Sequence, residues 1–138
     1  MKELRGNPMA GATEVADRRG RRGTRAYHAG LAAEDRIAMD YERRGYQVAD
    51  RRWRGGGGEI DLVLRDGDGL VFVEVKQART FDRAADSLRP EQVRRIFRAA
   101  ECYVAGEPAG QLTEMRFDLG LVDGQGCVQV MENALWAA

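Results

Sequence analysis

Two apolar, β-branched runs separated by a Gly/Asp turn constrain this chain more than any other feature. The runs span residues 59–65 and 70–77, and the turn between them spans 66–69. Apolar runs on both sides of a glycine-containing turn are typical of a β-hairpin. A symmetric closure of this turn pairs residues whose numbers add to 135, which places Asp61 directly opposite Glu74.

This pairing predicts a sheet with one charged and one aliphatic face. Directly opposed residues share a face with their Cβ atoms roughly 4.5–5.5 Å apart, so Asp61, Glu74 and Lys76 converge. Glu59 lies opposite Lys76 and shares that face. The aliphatic face behind them is expected to hold Ile60, Leu62, Leu64, Val71, Val73 and Val75.

The rest of the chain predicts a mixed α/β architecture. Residues 1–23 are expected to form a flexible basic tail and residues 24–138 one folded domain, in keeping with the length of 138 residues. Hydrophobic periodicity and turn residues predict helices over 26–44 and 89–104 and strands over 46–53, 115–122 and 128–131, with a flexible loop at 55–58 and an irregular segment at 79–87. This order favours a mixed β-sheet flanked by α-helices.

The composition predicts a cytoplasmic protein without a membrane-spanning segment. No apolar run reaches the roughly 18 residues of a transmembrane helix, and the arginine-rich N-terminus lacks a signal-peptide pattern. Cys102 and Cys127 have no metal-site spacing and are expected to be reduced, buried thiols. Net charge is zero, but residues 1–54 carry net +5 and residues 55–138 net −5, which is compatible with a basic surface near an acidic site.

The charged face has the residue types needed for metal-dependent phosphodiester hydrolysis. Asp61 and Glu74 supply carboxylate oxygens, which Mg²⁺ and Mn²⁺ prefer. Lys76 is suited to orient a water molecule or to stabilise charge on a phosphate. Glu34 lies in the apolar stripe of the first helix, where it either completes the metal site or reaches water at the edge of the stripe. The alternative from the residues alone is a salt-bridged sheet face with Glu59–Lys76 and Asp61–Arg65 pairs and no catalysis.

Six short motifs occur together in an order that resembles a known family. They are Gly30-x-x-Ala33-Glu34, Gly45-Tyr46, Gly58-Glu59-Ile60-Asp61-Leu62, Val71-Phe72-Val73-Glu74-Val75-Lys76, Arg116-Phe117-Asp118 and Glu132-Asn133-Ala134. This set resembles the YraN family of small bacterial proteins over residues 26–136. That family is similar to the PD-(D/E)xK nuclease superfamily, especially the archaeal Holliday-junction resolvases.

The resemblance implies a restriction-endonuclease-like fold and a nuclease-like domain over residues 24–138. It implies Asp61, Glu74, Lys76 and Glu34 as the catalytic set, with Asp61, Glu74 and Glu34 as ligands of Mg²⁺ or Mn²⁺. The expected activity is endonucleolytic hydrolysis of DNA, branched, damaged or duplex. A homodimer is also expected, since a four-way junction has two-fold symmetry.

The chain departs from the family pattern beside the expected site. Ala78 stands where the family has arginine, Phe81-Asp82 replaces an aromatic-glycine pair, and Gln92 replaces a lysine. These changes leave the expected metal ligands intact but alter neighbouring substrate contacts. The changes at Ala78 and Gln92 leave open a non-catalytic nucleic-acid-binding module that keeps the nuclease fold. The zero net charge also leaves open a protein-interaction module without a nucleic-acid role.

Overall fold

The structure is a computed structural model that describes residues 14–135, with side chains described from Tyr27 onward. The chain divides into two compact units, residues 1–32 and residues 33–138. The first unit is helical from Glu14. The sheet and the candidate site lie in the second unit.

The second unit is built on a five-stranded mixed sheet with the order β1-β2-β3-β4-β5. All neighbouring strands are antiparallel except β3 and β4, which are parallel. The predicted α/β class is confirmed, and the architecture is consistent with a restriction-endonuclease-like fold. The elements are α1 Glu14–Arg43, β1 Gln47–Gly55, β2 Gly58–Asp66, β3 Gly69–Gln77, α2 Phe81–Asp86, α3 Pro90–Val104, a 3₁₀ turn Gly110–Leu112, β4 Met115–Val122 and β5 Val128–Met131.

Several boundaries differ from the sequence prediction. Helix α1 begins at Glu14, before the predicted start at residue 26, so it includes part of the predicted tail 1–23. The remainder of that tail, residues 1–13, lies outside the described residues. The segment expected to be irregular contains α2, whose first turn is capped by the Thr80 hydroxyl oxygen accepting from the Arg83 amide at 3.1 Å. The predicted β4 and β5 are confirmed.

Helices cover both faces of the sheet. The C-terminal part of α1 packs on one face, in a cluster of Ala33, Ile37, Ala38, Tyr41, Leu62, Leu64, Val71, Val73 and Val122. Helix α3 packs on the other, in a cluster of Ile60, Val63, Leu70, Phe72, Ala99, Ala100 and Val104. The prediction was therefore wrong for Ile60, which packs with α3 rather than beside Leu62. The alternation of side chains between the two faces of the sheet is interrupted in β2 at Asp61, which is also where the pairing of β2 with β3 stops.

A buried charged network fixes the C-terminal part of α1, from residue 33 onward, against β4. The fully buried Asp118 carboxylate accepts from the Tyr41 hydroxyl at 2.6 Å, from Arg116 through two bonds of 2.9 Å and from the Asn133 amide at 2.8 Å. Burial and the bond to Asp118 raise the pKa of Tyr41 far above its ordinary value. Because Tyr41 lies two turns after Glu34 on the same helix, this network also positions Glu34.

Two further predictions concern single features. Within the described residues, no helix is long and apolar enough to cross a bilayer. Cys102 and Cys127 are free thiols, but both are exposed, so the expectation that they are buried was wrong. Cys102 lies at an exposed position of α3, and Cys127 lies in the connection between β4 and β5. Neither position follows the usual tendency of cysteine to be buried.

Candidate active site

The predicted acidic residues meet where the β2–β3 ladder ends. The predicted register is confirmed from Asp66–Gly69 to Leu62–Val73, and the backbone pairing of these two strands stops there. Instead, Asp61 Oδ2 accepts a hydrogen bond from the Val75 amide at 2.8 Å. The Asp61 carboxylate thus accepts the hydrogen bond from an amide that could otherwise pair with the backbone of β2. The backbone pairing of β2 and β3 does not continue past this point.

Asp61 and Glu74 form a hydrogen-bonded pair of largely buried carboxyl groups. Burial, followed by the negative charge of Glu74, raises the pKa of Asp61 to about 7. Burial likewise raises the pKa of Glu74, against the opposing effect of Lys76. Both pKa values are therefore raised, because two adjacent carboxyl groups that are largely shielded from water resist ionising together. A divalent cation in place of a proton would remove the repulsion between the two ionised groups.

Lys76 contacts Glu74 of this pair rather than Glu59, the residue predicted to lie opposite it. Its Nζ lies 3.3 Å from Glu74 Oε2, and both side chains are largely shielded, at 18% and 11% exposure. The salt bridges of the non-catalytic alternative, Glu59–Lys76 and Asp61–Arg65, do not form among the described residues: Glu59 pairs with Arg54.

Arg65 makes a two-bond pair with Glu107 at 2.7 and 3.1 Å, at the opposite end of the hairpin from the carboxyl pair. The charged face predicted from the sequence is therefore divided. Near the hairpin turn, Arg65 pairs with Glu107. At the other end, the Asp61–Glu74 pair lies with Lys76.

Glu34 lies next to the pair but is bound to another residue. Its carboxylate is buried, and Glu34 Oε1 accepts from Arg52 Nε at 2.9 Å. Burial raises the pKa of Glu34, the Arg52 bond opposes this rise, and the charge of Asp61 adds to it, which shows that the two carboxylates are neighbours. Within residues 27–135, no three or more His, Cys, Asp or Glu side chains form a group that could hold a metal ion. The structure thus brings Asp61 and Glu74 together, and the metal-ligand role of Glu34 stays a prediction.

The pair opens into a cleft of about 370 Å³ between the sheet and α3. The lining residues are Arg52, Glu59, Asp61, Glu74, Gln92, Arg95 and Ile96. Gln92 also accepts from the Arg89 amide at 3.0 Å, so it fixes the first turn of α3 at the rim.

Arg52 lines the cleft but was not predicted from the sequence. This residue adopts a φ of 50°, a left-handed conformation that is uncommon for side chains other than Gly, Asn and Asp. It interacts electrostatically with Glu34, Glu59 and Asp61. Nothing in the sequence distinguishes it from the neighbouring Arg51 and Arg54, because a positive φ in arginine has no local sequence signal.

The chain is similar to one family of bacterial proteins over most of its length. The model of the family described as "Uncharacterised protein family UPF0102" matches residues 33–122, a range that contains all four predicted site residues. The UPF0102 protein of Ruegeria pomeroyi is 58% identical over 113 residues, covering 82% of this chain and 92% of that protein. The UPF0102 protein of Roseobacter denitrificans is 56% identical over 113 residues, covering 82% and 88% respectively.

A UPF0102 protein of Cereibacter sphaeroides is 48% identical over 112 residues, covering 81% of this chain and 96% of its own length. These matches extend over most of the chain and not only over the short motifs that carry the resemblance. The chain therefore belongs to the YraN family, UPF0102.

Proposed function

We propose that this protein is a metal-dependent endonuclease that hydrolyses DNA phosphodiester bonds. The observation that carries the proposal is the largely buried Asp61–Glu74 pair, with Lys76 beside it, facing an open cleft. Burying two adjacent carboxyl groups destabilises a fold unless a proton or a cation compensates them. A purely structural sheet face gains nothing from that arrangement.

The pair has the chemistry that Mg²⁺ or Mn²⁺ requires. Mg²⁺ is commonly bound by one or two carboxylates together with waters and substrate phosphates. Asp61 and Glu74 would hold such an ion, and when bound it would supply an activated water and neutralise charge on the phosphate. The raised pKa of both groups supports this assignment, because a cation then replaces a proton that the protein binds unusually tightly.

The other two predicted residues act around the pair. The Lys76 Nζ lies 3.3 Å from Glu74 Oε2, where it can donate to a phosphate oxygen or to a water. Glu34 holds Arg52 at the rim of the cleft at 2.9 Å. Because the contact with Arg52 uses Glu34 Oε1, we assign Glu34 first a role in positioning Arg52.

A cleavage assay tests this function directly. Labelled four-way junction, flap, single-stranded and duplex DNA are incubated with Mg²⁺ or Mn²⁺ and the wild-type protein, Lys76→Ala or Arg43→Ala. Arg43 is the matched control because it is an exposed cation on α1 whose ion pair with Asp40 is long, at 3.4 Å. Cleavage by the wild type and the control, lost in Lys76→Ala, would support the nuclease.

A second candidate is a non-catalytic nucleic-acid-binding module on the same fold. It is favoured by one observation: Glu34 is paired with Arg52, and no three acidic, histidine or cysteine side chains among the described residues are grouped so that they could hold a metal ion. DNA binding without cleavage in either metal, and without any increase in melting temperature on adding Mn²⁺, would establish this candidate and overturn the nuclease.

A further inference from the structure

We infer that the Gly55–Gly58 turn, together with Arg54 and Arg95, forms a second anion site beside the carboxyl pair. Its ligand is a backbone phosphate of the nucleic acid, adjacent to the phosphate that undergoes hydrolysis. The identity of this ligand rests on the proposed function. The site itself rests on the geometry of the turn, its packing on α3 and the charges around it.

The glycine run is a tight hairpin turn rather than the flexible loop expected from the sequence. Gly55 and Gly58 close the β1–β2 ladder, and Gly56 and Gly57 have φ values of 61° and 81°. Two consecutive positive φ values are typical of a type I′ turn, which matches the twist of the adjoining strands. The turn therefore holds one backbone conformation and can present a fixed surface.

Packing against α3 fixes the position of this turn. A Cβ atom on Gly58 would lie 2.5 Å from the Arg95 carbonyl oxygen, and one on Gly56 would lie 2.8 Å from the Arg98 carbonyl oxygen. A Cβ on Gly57 would meet no described atom within 4 Å. The turn thus lies directly on the helix backbone at two positions and leaves the third open, where a ligand can approach the main chain closely.

This packing brings arginines from two different elements to one cavity. The cavity has a volume of about 430 Å³ and is lined by Arg54, Gly55, Gly57, Gly58, Glu59 and Arg95. Arg54 comes from β1 and Arg95 from α3. The carboxylate in this lining, Glu59, pairs with Arg54 at 3.4 Å, so the lining retains a net positive charge.

The two cavities adjoin and have opposite charge. Glu59 and Arg95 line both of them. The cleft that contains Asp61 and Glu74 has more acidic than basic side chains, whereas the glycine-lined cavity has more basic ones. A cation is favoured in the first and an anion in the second. A single phosphodiester strand could satisfy both, with one phosphate at the carboxyl pair and its neighbour at the turn.

Both arginines can turn toward a phosphate at little cost. Arg54 is 79% exposed and lies 3.4 Å from Glu59, and Arg95 is 55% exposed and lies 3.7 Å from Glu91. Exposed ion pairs of this length contribute little to stability. A guanidinium makes a stronger, two-bond contact with a phosphate.

Salt-dependent DNA binding by single variants tests the site. We would measure fluorescence anisotropy of a labelled duplex of about 20 base pairs, in EDTA, between about 50 and 200 mM salt. Arg54→Gln and Arg95→Gln are compared with the wild type and with Arg94→Gln. Arg94 is exposed on the same helix and lines neither cavity, so it is the matched control. Melting temperatures within a few degrees of the wild type would show that each variant is folded.

The expected result is a loss of affinity of about tenfold for each lining arginine at intermediate salt, with the slope of log K against log salt reduced by roughly 0.9. Arg94→Gln should keep the wild-type slope. An unchanged slope in both lining variants, or no DNA binding by the wild type, would overturn the anion site.

These outcomes separate the anion site from the proposed function. Arginine-dependent binding without cleavage in Mg²⁺ or Mn²⁺ would support the anion site and refute the nuclease. Metal-dependent cleavage by variants that bind like the wild type would refute the anion site and support the nuclease.

Discussion

Replacing Asp61 by asparagine should stabilise the metal-free protein at alkaline pH. The pKa of Asp61 in the folded protein is about 7, against an ordinary value of 3.8, because the group is buried beside Glu74. A folded-state pKa above the unfolded value means that the stabilising effect of the proton is complete below about pH 4 and lost as pH rises through about 7. Asparagine carries no charge at any pH, and its side-chain oxygen can still accept from the Val75 amide.

The size of the effect follows from the pKa difference. At about 1.4 kcal/mol per tenfold change in acidity, the interval from 3.8 to about 7 corresponds to roughly 4 kcal/mol. Relaxation and hydration of the open cleft reduce the electrostatic part, so we expect about 2 kcal/mol in favour of Asp61→Asn at pH 8. For a chain of this length that corresponds to an increase in melting temperature of about 8 °C.

The assay is thermal and urea unfolding in EDTA at pH 5 and pH 8, with Asp68→Asn as the control. Asp68 is an exposed aspartate in the turn of the same hairpin, so its substitution should leave stability unchanged. The advantage of Asp61→Asn should be small at pH 5 and large at pH 8. Equal or lower stability of Asp61→Asn at pH 8 would refute the idea that the two carboxyl groups repel each other in the folded state.

Adding Mn²⁺ should reverse this ranking. An ion at 100 times its dissociation constant stabilises the folded state by about 2.7 kcal/mol. The wild type should gain stability of this order at pH 8, whereas Asp61→Asn should gain little, because it lacks one of the two carboxylates that we propose as ligands. An equal gain in both proteins would show that Mn²⁺ binds elsewhere.

Three further predictions concern residues around the site. Tyr41→Phe should lower the free energy of unfolding by about 1.5–3 kcal/mol in urea titrations, because it removes a hydrogen bond to the buried Asp118 carboxylate; a loss below about 0.5 kcal/mol would contradict this. Gly58→Ala should cost about 1–3 kcal/mol by overpacking, because the added Cβ would lie 2.5 Å from the Arg95 carbonyl oxygen, and a stabilising effect would contradict the packing. Arg52→Asn, which tolerates the positive φ, should raise Mn²⁺ affinity in calorimetry about tenfold by removing a competing cation beside Glu34, and unchanged or weaker binding would refute this competition.

The sequence predicted the hairpin register because two independent signals agree there. The Gly/Asp turn sets the closure, and the alternation of apolar residues sets which side chains oppose each other. Both operate within a few residues, so no tertiary information is needed. For the same reason β4 and β5, each with clear alternation and a turn between them, match the prediction.

The features that the sequence did not predict depend on tertiary contacts. Whether the Val75 amide binds backbone or the Asp61 carboxylate cannot be read from alternation, yet this choice ends the ladder and moves Ile60 to the α3 cluster. Helix α2 has only six residues, too few to show a helical period. The rigidity of the glycine turn comes from α3, which follows it in the chain by more than thirty residues.

The departures from ordinary folding rules cluster around the two adjoining cavities. They are the like-charged pair Asp61–Glu74, the left-handed backbone at Arg52 and the glycine run 55–58. The network around Asp118 differs from these, because its buried charge is matched by a hydroxyl group, an arginine and a backbone amide. Sequences usually break such rules where function requires it. A polar sheet face kept only for solubility would show isolated exposed charges, so the concentration of costly features at one end of strands β1, β2 and β3 favours a site that binds a cation and an anion together.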